Sequence, residues 1–139
     1  MRSRVVVFVG AGLLLAAVSA WAHHAFAAEF DAKKPVHLTG VVTKLELVNP
    51  HAWIYIDVKD ASGQVSSWAV EAGASPNIMM RRGFTKASLP AGSEVIVDGY
   101  RAKDGSLKAS GSNLTYADGR TVFIGSTGAE GPPPSADKK

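Results

Sequence analysis

The chain has no cysteine in its 139 residues. That excludes disulfides, thiolate metal sites and thiol catalysis, and it excludes a lipid anchor attached at a processed cysteine. There is also no apolar run of the roughly 20 residues that a membrane-spanning helix needs. No nucleophile motif, glycine-rich phosphate loop or paired-histidine helix signature occurs. The acidic residues Asp57, Glu71, Asp98 and Asp104 are scattered through predicted strands and turns. Basic clusters are missing too: Arg81-Arg82 is the only adjacent arginine pair. Together these absences point away from conventional catalysis and from nucleic acid.

What is present begins with an export signal. Arg2 and Arg4 precede the apolar run from Val5 to Val18, and Ala20-Trp21-Ala22 has the A-x-A form of a cleavage site. Val18-Ser19-Ala20 is an alternative site. With the signal gone, the excess of 15 basic over 12 acidic residues loses two arginines and falls close to balance. Residues 1–22 are therefore expected to be a signal peptide, 23–36 an N-terminal arm, 37–126 one folded domain and 127–139 a disordered tail. The expected location is the periplasm, with no membrane anchor left after cleavage.

The domain reads as strands. Leu38 to Val48 is rich in β-branched residues, Asn49-Pro50 breaks it, and His51 to Lys59 alternates cleanly. Asp60-Ala61-Ser62-Gly63 forms a turn before a third strand from Val65 to Glu71. Ser75-Pro76 starts a short helix over Asn77 to Arg82, which Gly83 stops. Strands over Glu94 to Arg101 and Leu107 to Tyr116 follow, with a short closing strand from Thr121 to Gly125. Three meandering strands, a short helix and two further strands are the order of a small five-stranded OB-fold-like barrel. The expected class is all-β with one short helix.

Alternation in the second strand assigns Ala52, Ile54, Ile56 and Val58 to the interior. His51, Trp53, Tyr55 and Asp57 then face outward. Large aromatics on an outer face need something to cover them. Either the 25–34 arm or the short helix lies over this row, or the row is a ligand platform, as on the strand 2–3 face of OB-folds. Trp68 and Val70 share one side of the third strand, with Trp68 expected in the core, and Met79-Met80 is expected to plug one end of the barrel.

The histidine pair His23-His24 sits at the cleavage point. A cut after Ala22 gives His23 a free α-amine beside its imidazole, a nitrogen chelate suited to copper(II). His24, His51 or His37 would supply a further donor. A cut after Ala20 places His23 at position three, which is also a copper-chelating arrangement.

Several linked motifs resemble a family of small exported bacterial proteins known only as a domain of unknown function. They are Ala22-His23-His24-Ala25-Phe26, Asp31 to Pro35, Asn49-Pro50-His51-Ala52-Trp53-Ile54, and Ser75-Pro76-Asn77 with Arg81-Arg82-Gly83-Phe84. Gly99 to Gly105 and Ala117 to Arg120 extend the likeness, which covers about residues 22 to 125. The resemblance implies export and a small β-rich domain, and it brings no site residues.

The expected function is a periplasmic, non-enzymatic binding or accessory module. It would bind a small ligand or a periplasmic protein on His51, Trp53 and Tyr55. The alternative is a copper-binding protein with His23, His24 and His51 as ligands.

Overall fold

The computed structural model describes residues 25–125, so the expected signal peptide, His23, His24 and all of the expected tail lie outside the described residues. Helical residues 25–29 lead into β1 (Phe30–Val48), β2 (His51–Lys59) and β3 (Val65–Ala72). A six-residue helix, α1 (Pro76–Arg81), precedes β4 (Glu94–Ala102), β5 (Lys108–Tyr116) and β6 (Thr121–Phe123). All strand pairs are antiparallel except β3 with β5. That parallel pair joins Ala69–Ala72 to Lys108–Gly111 and closes β1, β2, β3, β5 and β4 into a ring. The barrel-like class expected from the order of elements is therefore present, with β6 added outside the ring on β5.

β1 is the hinge of this closure. Its first half pairs with β4 and its second half with β2, and the two ladders overlap at Gly40 and Val41. A side chain at Gly40 would stand 2.5 Å from the Asp57 carbonyl oxygen, so the strand bends where no Cβ intervenes. A register shift follows between Val42 and Lys44. There Val42 exchanges backbone hydrogen bonds with the Gly92-Ser93 turn. β1 starts at Phe30, earlier than the expected Leu38, so part of the expected arm is strand. Pro35 is accommodated within it, because β1 ahead of Gly40 has β4 on one side and no β2 partner on the other.

The ring encloses one apolar core. Ala52, Ile54 and Ile56 of β2 are fully buried inside, as alternation requires, with Val70, Val97 and Leu114 from the facing strands. α1 closes one end. Pro76 stands in its first turn after the extended Ser75, whose side chain makes no capping bond. Gly83, at φ +90°, ends it. Met79 is fully buried as the plug, whereas Met80 is exposed. The Arg82 guanidinium donates to the carbonyls of Phe123 and Gly125 at 3.0 and 3.2 Å and fastens the end of the described chain to α1.

A second, smaller cluster lies outside the ring. Phe26 and Phe30 stack at 5.7 Å, and Tyr100 meets Phe26 edge-on at 5.8 Å, with Ala102 beside them. Lys103 donates through its side chain to the Ala27 carbonyl and through its backbone to that of Glu29. The helical residues 25–29 are thus docked against β4.

Candidate functional site: the outer row of β2

Antiparallel register sets up the outer face row by row. Trp53 stands between Glu46 of β1 and Glu71 of β3, and Glu71 is paired in turn with Ser110 of β5. One row down, Tyr55 stands between Lys44 and Ala69, with Lys108 beyond. His51 opens β2 at the corner after Asn49-Pro50, opposite Val48. His51 is exposed, and Trp53 and Tyr55 are half-buried. The three predicted residues therefore share one outward face, as alternation places them.

Charged side chains from neighbouring strands frame the row. His51 Nδ1 lies 2.8 Å from Glu71 Oε1. The Lys108 ammonium stands 5.7 Å from the centre of the Trp53 ring and 3.6 Å from the Glu29 carboxylate. Tyr55 donates its hydroxyl to Glu46 at 3.1 Å, and Lys44 pairs with Glu46 while standing 5.7 Å over the Tyr55 ring. The hydrogen bonds from Lys44 and Tyr55 hold the Glu46 carboxyl below its ordinary value, and the Glu46 bond raises Lys44. Burial, then the bond to Glu46, raises the Tyr55 phenol.

The 25–29 segment packs on Tyr100 of β4 and reaches the edge of the face through Glu29. Beside Tyr55 the surface sinks into a mostly apolar hollow of about 370 Å³, walled by Tyr55, Trp68, Ala69 and Leu107 with Lys44 at its rim. Trp68 is buried, as expected, and its ring also carries the Arg101 guanidinium at 5.6 Å.

Glu71 is the one carboxylate of this face whose pKa is raised from its ordinary value of 4.5. Burial pushes it up, the His51 charge pulls it down, Glu29 adds to the rise and Lys108 opposes it. The folded state therefore holds the Glu71 proton more tightly than the unfolded chain does. Its stabilising share is complete below pH 4.5 and is lost as pH rises through the raised value. Urea unfolding of the protein and of Glu71→Gln across pH 4 to 8 checks this. The stability of the protein relative to the variant should be greatest at the acid end and decline upward, whereas a constant difference would contradict it.

Other expected metal donors are not brought together. His37 contacts Asp98 at 2.6 Å in the half of β1 that runs along β4, away from the Val48 end that pairs with His51. That removes His37 as a partner for His51. Among the described residues, no three histidine, aspartate or glutamate side chains stand close enough to hold a metal ion. No helix among them is long and apolar enough to cross a membrane.

Alternation puts Glu71 on the side of β3 opposite Trp68 and Val70, yet nothing local in the sequence pairs it with His51. Lys108 and Glu29 carry no sequence signal for this site. They arrive by the β3–β5 closure and by the docking of residues 25–29.

A small barrel-like ring with one framed, outward aromatic row is the class that fold and site define. The chain belongs to a family of unknown function, DUF6152, whose model matches residues 11–112. The match ends within β5, short of the Ala117–Arg120 turn. No curated protein and no solved structure matches the chain.

Proposed function

We propose that the protein is an exported, non-enzymatic binding module of the periplasm, with the outer row His51, Trp53 and Tyr55 as its contact surface. One observation carries this reading. Two large aromatic rings and a histidine stand side by side on the face, bordered by Glu71, Lys108, Glu46 and Lys44. Aromatic faces supply stacking area for a ligand, and the framing charges supply orientation. The row also lies where OB-folds commonly bind, on the face of strands two and three. Copper, bound through a mature N-terminal His23 with His24 and His51, is the second reading. It is favoured by the contact of His51 Nδ1 with Glu71, which leaves Nε2 as the outward donor.

Isotope-labelled, processed protein titrated with the low-molecular-mass fraction of a periplasmic extract tests the first reading. Amide shifts should gather at His51, Trp53, Tyr55, Glu71 and Lys108. Shifts confined to other surfaces, or none, would overturn it.

A further inference from the structure

We propose that the outer β2 face takes an uncharged sugar chain, one ring stacked on Trp53 and the next seated in the hollow beside Tyr55. The proposal names the ligand class of the contact surface described above and rests on that reading of the face. Three observations carry it.

The first is the placing of the aromatic rings. Trp53 and Tyr55 are two residues apart on β2, so they leave the same face about 7 Å apart. Pairing with β1 on one side and β3 on the other fixes that spacing. Both side chains are half-buried, so each is held by its neighbours while part of it meets solvent. Lys108 and Lys44 stand 5.7 Å from the two ring centres, near the outer limit of cation–π contact, and so border the rings. A sugar ring carries a patch of C–H bonds whose positive hydrogens suit the negative face of an aromatic ring. Two aromatic rings in line suit a ligand built of repeated rings.

The second observation is the balance of charge. Each nitrogen base framing the row faces a carboxylate: His51 faces Glu71 at 2.8 Å, Lys108 faces Glu29 at 3.6 Å, and Lys44 pairs with Glu46. Asp57, next in the outward row, takes the Ser67 hydroxyl at 2.6 Å. An ionic ligand would have to break one of these pairs. A hydroxyl breaks none, because it both donates and accepts, and each carboxylate has lone pairs to spare. Glu46 already accepts one hydroxyl, that of Tyr55, at 3.1 Å beside its pair with Lys44. Hydrogen bonds to charged groups are also the stronger kind.

The third observation is the hollow. Tyr55 is paired with Ala69, whose small side chain leaves room for the space of about 370 Å³ walled also by Trp68 and Leu107. That volume is at the lower end of the range for small-molecule sites. Its wall is mostly apolar, and Thr43 and Ser67 add hydroxyl-bearing residues. The mixture matches a ring with C–H faces and a hydroxylated rim. A nucleic-acid strand would also stack on the aromatics, but its phosphates require cations that are not already paired. A hydrocarbon chain would fill the hollow and leave the charged pairs of the frame unused.

The test titrates three neutral sugars, maltohexaose, cellohexaose and chitohexaose, into isotope-labelled protein. Polygalacturonate and single-stranded DNA serve as charged probes. At least one neutral sugar should shift the amides of Trp53, Tyr55, Ala69 and Lys108, with affinity nearly constant between about 0.05 and 0.5 M salt. Trp53→Ala should weaken that binding about tenfold. Ala69→Leu, which fills the hollow, should weaken it by a similar factor, whereas His37→Gln, on the β4 side, should bind as the unchanged protein does. Each variant is first shown folded by circular dichroism. Unchanged affinity in Trp53→Ala or in Ala69→Leu would overturn the proposal, as would sugar shifts gathered on another surface. Tighter binding of polygalacturonate or DNA, falling steeply with salt, would make the face an anion site and overturn it too. Failure of all three sugars, with shifts from the extract retained at Trp53 and Tyr55, would sink the sugar and leave the binding face standing.

Discussion

Gly99→Ala is expected to cost about 3 kcal/mol or more, a large share of the roughly 5–15 kcal/mol that holds a domain of this size together. The Cβ of an alanine there would lie 2.2 Å from the carbonyl oxygen of Ser110 and 3.0 Å from the Cα of Gly111. Both are backbone atoms, so no rotamer change relieves the contact. β4 must move away from β5 where the register shifts between Asp98 and Gly99. That shift turns Tyr100 outward beneath Phe26 and Phe30, so the same change loosens the dock of residues 25–29. Urea unfolding gives the free energy, and amide exchange at Lys103, whose backbone N–H is bonded to Glu29, reports the dock. A loss below 1 kcal/mol would mean that β4 and β5 separate easily there, against the close packing seen.

Phe84→Ala is expected to cost about 3–5 kcal/mol by the usual penalty for emptying a buried aromatic site. The ring is fully buried and stacks on Tyr116 at 6.2 Å. Its backbone N–H closes the end of α1 on the Met79 carbonyl at 3.0 Å. Removing it takes support from the Met79 plug and from the end of β5 together. Thermal or urea unfolding should show the loss as one cooperative transition. A variant that keeps nearly full stability would show that α1 is a lid on the ring and not part of its core.

These two residues also mark what could and could not be read ahead of the structure. The His51–Lys59 strand, its inward Ala52, Ile54 and Ile56, and its outward His51, Trp53 and Tyr55 follow from a period of two, which is local and strong. The turn residues were equally plain. Asp60 and Asp104 accept bonds from the backbone of the residues two beyond, Ser62 and Ser106, and these bonds with the serine hydroxyls hold both carboxyls below their ordinary values.

The long reach of β1 was not legible, because the small and polar residues before Pro35 read as an arm until their one-sided pairing with β4 is known. Nor was the frame of the site. Glu71 meets His51 across an antiparallel pair, Lys108 arrives through a parallel pair nearly forty residues further on, and Glu29 through a docked terminus. Such contacts depend on register between distant segments, which composition and periodicity do not encode. The outward row was visible in the sequence, and its electrostatic setting belongs to the closed ring.

That the row is an open surface, and not a covered layer of the core, is tested most directly by urea unfolding of Trp53→Ala. The half-buried ring gives up an exposed cation–π contact with Lys108 and some packing, so a loss of about 1 kcal/mol is expected, with the fold retained. A loss of several kcal/mol, matching that of Phe84→Ala, would make Trp53 part of the core and contradict its role as a contact surface.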